Sequence, residues 1–241
     1  MQKFIIISTQ RSGSSLLVTT LASHPAVVCH REVFLEENFH SNSYSTWRTS
    51  SLRNRIAHLF CREKLVNQYL EKLMLEADHV AAVGFKFMYS QDKLLPQVID
   101  WAKKKDVKVI HLVRTNVLKK RISRLVSRSR NLAHSTEPVE ICRISMETER
   151  LKQKLDAMTD QVDWYRSRLS HLKYIEVTYE GLVANKAHEL DRLLEFLGVG
   201  VVTGLSSDLV KVNSDNMSDV VENYDEVVEA LTGTKYEQFL K

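Results

Sequence analysis

Residues 4–21 read FIIISTQRSGSSLLVTTL, and this stretch decides the fold. It begins as an apolar run typical of a buried strand, continues as a polar turn with one glycine, and ends as an apolar helix start. A strand that enters a helix through a tight turn points backbone N–H groups at one spot, which is where proteins bind anions. Residues 4–21 therefore predict an anion-binding loop in an α/β domain.

The side chains of this turn suit a negatively charged ligand. Arg11 supplies a permanent positive charge, Gly13 lets the backbone approach closely, and Ser14 and Ser15 add hydroxyl donors. The turn lacks the lysine and the earlier glycine of the G-x-x-x-x-G-K-[ST] loop. No candidate core strand ends in a Walker-B-like aspartate that could hold Mg²⁺ for phosphoryl transfer. Metal-free transfer from an anionic donor fits better, and a turn that only caps a helix is the alternative.

The rest of the chain alternates strand and helix patterns. Strands are predicted at residues 3–8, 80–87, 107–113 and 172–178, and helices at residues 65–74, 94–102, 151–172 and 190–197. Asp92 is a candidate cap for the second helix and Gly198 for the end of the last. Continuously apolar strands indicate a sheet buried on both faces. We predict a single domain over residues 1–241 of class α/β, with a doubly wound, mainly parallel sheet flanked by helices and a helix-rich C-terminal half.

Composition sets further limits. Hydrophobic residues make up 44% of the 241 residues and charged residues 27%, as in soluble globular proteins. The cysteines Cys29, Cys61 and Cys142 form no C-x-x-C pair, so neither a disulfide framework nor a zinc site is predicted. The apolar run before Ser8 is too short for a signal peptide or a spanning helix. We expect a cytoplasmic protein without stable membrane insertion.

A second anion site is predicted after the strand at residues 107–113. Arg114 follows that strand at its carboxyl end, where ligands bind in open α/β sheets. Ser123 lies on the following helix and reaches the same phosphate only if the helix packs across it. The basic run at residues 119–124 has two interpretations, a solvated helix face or a nucleic-acid surface. With 34 basic and 30 acidic residues and no nucleic-acid motif, we expect no nucleic-acid partner.

These motifs occur together in one known family. Residues 10–17 resemble the 5′-phosphosulfate-binding loop of sulfotransferases that use 3′-phosphoadenosine 5′-phosphosulfate (PAPS). The span from Arg114 to Ser123 resembles their 3′-phosphate-binding motif. Among these enzymes the chain is most similar to bacterial carbohydrate sulfotransferases of the trehalose and nodulation-factor types. Residues 83–88 and 175–199 are similar to further family segments, and the resemblance implies a P-loop-like fold.

The resemblance implies transfer of a sulfuryl group from PAPS to a hydroxyl of a small acceptor, with release of adenosine 3′,5′-bisphosphate (PAP) and without a metal. A carbohydrate or glycolipid acceptor is favoured. The implied nucleotide-binding residues are Arg11, Ser12, Gly13, Ser14, Ser15, Arg114 and Ser123. Many cytosolic relatives carry a late Arg-Lys-Gly element that this chain lacks. Lys211 is our candidate for its role, with an exposed loop lysine as the alternative.

The chemistry of the transfer assigns further roles. Arg11 stabilises the charge that develops on the leaving oxygen. The resemblance favours Glu32, at the end of a short strand over residues 27–34, as the base that takes the acceptor proton. His30 is the alternative, because an imidazole pKa near 6.5 suits base catalysis. Lys86 either stabilises the sulfuryl oxygens or pairs with a buried acid.

One of two stretches without periodicity is the candidate for the acceptor site. Residues 35–53 and 131–141 lack periodicity and predict loops. The first of these loops carries the acceptor-binding candidates His40, Tyr44, Trp47 and Arg48, to which Lys86 is added. Two other functions stay open at this point, a P-loop-type kinase or NTPase and a non-catalytic protein that binds PAP or another anion. A homodimer also stays open.

Overall fold

The computed structural model describes residues 1–36, 42–75, 80–130, 142–208 and 216–240. The chain divides into two compact units. The first comprises residues 1–113 and 169–207, and the second comprises residues 114–168 and 208–241. The single domain over residues 1–241 stays a prediction.

The first unit contains a five-stranded sheet in which neighbouring strands are parallel. The strands are β1 Gln2–Ser8, β2 Val27–Glu32, β3 Ala82–Met88, β4 Lys108–Val113 and β5 Tyr174–Thr178, in the order β2-β3-β1-β4-β5. The predicted parallel α/β sheet is confirmed. The last strand begins two residues later than predicted, because the N–H of Leu172 donates to the carbonyl of Leu169 and Leu172 therefore belongs to a turn.

The central strand β1 explains why the first apolar run is continuous. Phe4, Ile5, Ile6 and Ile7 are completely buried. Successive side chains of a strand point to opposite faces, so both faces of β1 are covered. Each fully buried side chain of this size contributes roughly 1.5–3 kcal/mol to folding through the hydrophobic effect. The strand that carries the anion-binding loop is therefore buried on both faces of the sheet.

Eleven α-helices are described in the residues named above. They are α1 Ser14–Ala22, α2 Tyr44–Thr49, α3 Leu52–Phe60, α4 Arg62–Leu75, α5 Tyr89–Leu94, α6 Gln97–Lys104, α7 Val117–Arg130, α8 Leu151–Leu169, α9 Tyr179–Ala184, α10 Lys186–Leu197 and α11 Tyr224–Leu231. Within the described ranges, no helix combines the length and apolarity that crossing a bilayer requires. The predicted flanking helices and the helix-rich C-terminal half are confirmed for these residues.

The helix predicted at residues 94–102 with an Asp92 cap is wrong. Two helices occupy this region, α5 and α6, and Asp92 is buried within α5. The break falls at Leu95, which has φ −135° and ψ 57° and precedes Pro96. Proline disfavours helical backbone in the residue before it, so the chain must leave the helix there.

The loop predicted over residues 35–53 is also wrong in part, because α2 and the start of α3 lie in it. The side chain of Ser43 accepts from the N–H of Thr46, and that of Ser51 accepts from the N–H of Asn54. These serine caps satisfy N–H groups that have no partner inside the helix. Residues 131–141, the other predicted loop, lie outside the described residues.

The ends of two predicted helices differ in outcome. Gly198 adopts a left-handed conformation with φ 72° at the end of α10, so its predicted role as a cap is confirmed. The helix predicted over residues 151–172 ends at Leu169 instead. The predicted helix was too long because the apolar spacing includes Leu172, whereas the chain already turns toward β5 at that residue.

The second unit has its own hydrophobic core. Leu118 of α7, Leu151 and Leu155 of α8, and Val227 and Leu231 of α11 are completely buried in one cluster. The three helices therefore pack through apolar faces with helical spacing. This core holds α7 in place. Arg114, the predicted phosphate-binding residue, lies just before the start of that helix.

We predict that Gly84→Ala destabilises the first unit. Gly84 pairs with Phe4 in neighbouring strands, and a Cβ atom at Gly84 would overlap the carbonyl oxygen and ring of Phe4. Overpacking of a core costs about 1–3 kcal/mol. Urea unfolding measures this cost, with Gly200→Ala as the control because a Cβ there meets no atom within 4 Å. Equal stability of the two variants would contradict the prediction.

Candidate functional site

The loop after β1 is held in an unusual backbone conformation. Arg11 has φ 64° and Gly13 has φ 86°, both in the left-handed region. The hydroxyl of the buried Ser12 donates to the carbonyl of Thr9 at 2.6 Å, which closes the turn. Gly13 stands at the N-cap of α1 and provides no side-chain cap, so the first N–H groups of α1 face the space above the loop.

Tyr179, the first residue of α9, packs against this loop. A Cβ atom at Gly13 would overlap the ring of Tyr179, so only glycine fits there. Tyr179 is partly exposed beside the loop. The position of Tyr179 directly after β5 was the available signal, because parallel strands end at one edge of the sheet.

The strand register brings several loops to the same edge. Ser8, the last residue of β1, pairs with Met88 of β3 on one side and with Leu112 of β4 on the other. The anion loop therefore lies between the carboxyl ends of two parallel strands. This edge is where ligands bind in open α/β sheets.

A β-bulge in β2 decides where Glu32 points. His30 pairs with Phe85, but the next pair joins Glu32 to Lys86, so Arg31 is the extra residue. In an unbroken strand Glu32 would pair with Phe87 and point to the opposite face of the sheet. The bulge thus turns the Glu32 carboxylate toward the face that carries Lys86 and α1.

Glu32, Lys86 and the anion loop are directly connected. The ammonium of Lys86 lies 2.8 Å from Glu32 Oε1 and 3.3 Å from the hydroxyl oxygen of Ser15. Gln91 Nε2 donates to Glu32 Oε2 at 3.3 Å. Lys86 is only 5% exposed, and a buried ammonium requires a carboxylate or several acceptors to offset its lost hydration. Sequence reasoning missed Gln91, which no motif distinguished.

His30 belongs to different surroundings. Its partner in the sheet, Phe85, lies in an aromatic cluster with Phe34, and Asn42 Nδ2 lies 3.1 Å from His30 Nδ1. Because Phe85 and Lys86 are consecutive in β3, their side chains point to opposite faces. The structure therefore brings Glu32, and not His30, to the face that carries Lys86.

Cys29 lies one residue before His30 and pairs with Gly84. Burial raises the pKa of the Cys29 thiol, and the positive charge of Lys86 lowers it by a smaller amount. A protonated thiol is a poor nucleophile. Cys29 therefore packs in the core beside the site and contributes no thiolate to it.

Three of the acceptor-binding candidates lie in α2, namely Tyr44, Trp47 and Arg48. Tyr44 is buried against Phe34 and Tyr69. The ammonium of Lys72 lies 4.9 Å from the centre of the Trp47 ring, and Arg48 forms an ion pair of 3.1 Å with Glu36. The candidates His40 and Lys211 lie outside the described residues. Acceptor binding by these residues stays a prediction.

The predicted 3′-phosphate residues belong to the second unit. Arg114 follows β4 and is partly exposed, and Asn116 Oδ1 accepts from the N–H of Lys119 at 2.8 Å, which caps α7. Ser123 is buried. Lys120 is also buried, so the expectation that it belongs to a solvated face is wrong.

The basic face of α7 is electrostatically crowded. Burial lowers the pKa of Arg121 and Arg124, and the neighbouring charge of Arg128 lowers both further. Nearby Glu147 opposes the change at Arg121. The guanidinium groups of Arg121 and Arg124 stay charged at neutral pH.

Comparisons with solved structures agree with this fold. The sulfotransferase domain of the Synechococcus PCC 7002 olefin synthase has a TM-score of 0.53 at 16% identity, covering 97% of this chain and 88% of its own. Mouse sulfotransferase SULT7A1, complexed with PAP, has a TM-score of 0.52 at 16% identity, and the match covers 99% of this chain and 74% of the mouse protein. The sulfotransferase domain from the curacin biosynthetic pathway has a TM-score of 0.50 at 18% identity, and the match covers 84% of this chain and 76% of that domain. At these identities the likeness concerns the fold alone.

The sequence comparisons concern the family. A search of curated proteins finds no match. The family model described as "Sulfotransferase family" matches residues 3–202, which include the anion loop, the bulged strand and the span from Arg114 to Ser123. The predicted PAPS-dependent family is confirmed at this level, and the kinase alternative is set aside. The chain belongs to the sulfotransferase family and is a sulfotransferase.

Proposed function

We propose that this sulfotransferase moves the sulfuryl group of PAPS to a hydroxyl of a carbohydrate or glycolipid and releases PAP. The observation that carries the proposal is the connection of Glu32, Lys86 and Ser15 at the edge of the sheet where the anion loop lies. A carboxylate, a cation and an anion-binding loop are the three parts that such a transfer needs. The carbohydrate class of acceptor is supported by the sequence resemblance.

The residues of the first loop fit the 5′ end of the donor. Gly13 lets the ring of Tyr179 pack directly against the loop, and the N–H groups at the start of α1 face an incoming anion. Arg11 adds charge and Ser14 and Ser15 add hydroxyl groups. Ser12 acts through the shape of the loop, because its hydroxyl already bonds Thr9.

We assign the 3′-phosphate to Arg114 and Ser123, with Asn116 holding the start of α7. Guanidinium groups bind phosphate through paired hydrogen bonds, which favours a nucleotide with a 3′-phosphate over one without it. The helix start also favours negative charge. Lys211 stays a further candidate for the nucleotide. These contacts give donor specificity rather than chemistry.

The transfer proceeds in line in our proposal. The acceptor oxygen forms a bond to sulfur while the bond from sulfur to the 5′-phosphate oxygen breaks, and that oxygen leaves with the electron pair. The Glu32 carboxylate takes the acceptor proton. Charge grows on the leaving oxygen, and the donors of Arg11, Ser14 and Ser15 stabilise it. Lys86, which lies between Glu32 and Ser15, stabilises the sulfuryl oxygens.

We predict that the protein binds PAP much more tightly than ADP with EDTA present. Arg114→Ala weakens PAP binding about 10- to 100-fold, the cost of one charge-assisted hydrogen bond, and leaves ADP binding nearly unchanged. Isothermal calorimetry measures both nucleotides. Arg143→Ala, an exposed arginine of the same unit, is the control. Equal affinity for PAP and ADP would remove the donor assignment.

We predict that Glu32→Gln lowers the rate of sulfuryl transfer by about 10²–10⁴-fold, because general-base catalysis typically contributes that much. PAP affinity stays close to that of the wild type. Transfer is measured with ³⁵S-labelled PAPS and an acceptor found by screening sugars and glycolipids.

His30→Gln is the matched control for the base, since it changes the other candidate in the same strand. A large loss in His30→Gln with normal turnover in Glu32→Gln would move the role to His30. Thermal unfolding of both variants distinguishes lost chemistry from a fold weakened by an unpaired Lys86.

We predict that Gly13→Ala weakens PAP binding by at least about 10-fold, or 1.4 kcal/mol, because the new methyl group displaces Tyr179 and reshapes the loop. Gly204→Ala is the matched control. Its φ of 83° imposes the same backbone strain, but a Cβ atom there meets nothing within 4 Å. If both variants bind PAP equally well, the loop is not the nucleotide site.

A further inference from the structure

Helix α3 presents its apolar side to solvent. Leu52, Ile56, Leu59 and Phe60 are between 51% and 80% exposed. At 100° per residue these four side chains fall within one sector of the helix. No residue of α3 is buried. A surface helix of a globular protein normally turns such a stripe toward the core, and α3 is reversed.

The polar side of α3 is the side that contacts the protein. Asn54 Nδ2 donates to the carbonyl of Trp47 at 2.9 Å, and the hydroxyl of Tyr44 lies 3.1 Å from His58 Nδ1. Ser51 caps the first turn. These contacts fix the rotation of the helix, so the outward position of the apolar stripe is built in.

Arginines border the apolar stripe on both sides. Helix geometry places Arg53 next to one edge of the stripe and Arg55 next to the other. Both are exposed. Residues 47–62 contain four arginines and one histidine and no acidic residue. The exposed surface of α3 is therefore apolar in the middle and positively charged along its borders.

We propose that α3 docks the protein reversibly on the surface of an anionic lipid bilayer. The apolar stripe enters the boundary between headgroups and acyl chains, and Arg53 and Arg55 lie at the lipid phosphates. Apolar side chains flanked by arginines are the pattern of helices that lie in this interface. The docking is peripheral and involves no spanning segment.

Charge favours a bilayer over a second copy of the chain. Two copies packed through α3 would bring Arg53 and Arg55 of each close to the same residues of the other, with no acid between residues 47 and 62 to offset them. An anionic surface neutralises the same charges.

The cavity beside α3 strengthens the match to anionic headgroups. Phe60 at the end of α3 lines a cavity of about 1160 Å³ between α4 and α6. Its walls carry five lysine and arginine side chains and two glutamates, and Leu75 is exposed there. The positive surface thus continues from α3 into this cavity, which contains none of the predicted site residues in the described ranges.

Co-sedimentation with vesicles tests the proposal on the full chain. We expect binding to phosphatidylcholine vesicles that contain phosphatidylglycerol, weaker binding as salt increases, and little binding to phosphatidylcholine alone. Leu59→Asp with Phe60→Asp should abolish binding. Arg53→Gln with Arg55→Gln should weaken it about 25-fold, since each basic residue near such a surface contributes a factor of about five.

Leu94→Asp is the control, because Leu94 is an equally exposed apolar residue outside α3. Circular dichroism and PAP binding confirm that each variant is folded. Equal binding to both kinds of vesicle, or retained binding in the Leu59→Asp and Phe60→Asp double variant, overturns the proposal. So does sedimentation equilibrium that finds a lipid-free dimer dissociated by Phe60→Asp, because the surface then belongs to a second copy.

Discussion

The ion pair between Glu32 and Lys86 is the interaction on which the candidate site depends, and a single extra residue makes it possible. Arg31 is inserted between the pairs that β2 forms with β3, and this bulge turns Glu32 to the face of Lys86. The buried ammonium in turn requires its carboxylate. Because Lys86 also lies 3.3 Å from the Ser15 hydroxyl, one cation joins the strand that carries the base to the loop that binds anions.

The strand order explains why these groups meet at β1. After β1 the chain forms β2 and β3 on one side of that strand. It then crosses to the other side, where it forms β4 and β5. Such a reversal opens a crevice beyond the carboxyl ends of the strands, and ligands bind there. The loop after β1 lies at this reversal, with Tyr179 closing it from β5. The position of the site is thus a property of the topology, and the choice of charged side chains gives it chemistry.

Local sequence determined much of this arrangement but not all of it. The apolar runs predicted the strands, and residues 9–15 predicted the anion loop, because both signals lie in consecutive residues. The bulge at Arg31 could not be read in this way, since it exists only when β2 is paired with β3. The same holds for Tyr179, whose place beside Gly13 depends on a strand far along the chain. By contrast, Pro96 itself indicated a break between helices. The prediction of one helix missed this break because the apolar residues on both sides of Pro96 have helical spacing.

Helix α3 shows a further limit of prediction from sequence patterns. A stripe of apolar residues at helical spacing has the same pattern whether it faces the core or the solvent, so periodicity cannot give its direction. The contacts of Asn54 and His58 decide it by holding the polar side inward. The segment is tied to the end of β2, because the N–H of Tyr44 donates to the carbonyl of Val33, one residue after Glu32. A backbone hydrogen bond therefore connects the segment that leads into α3 with the end of the strand that carries the candidate base.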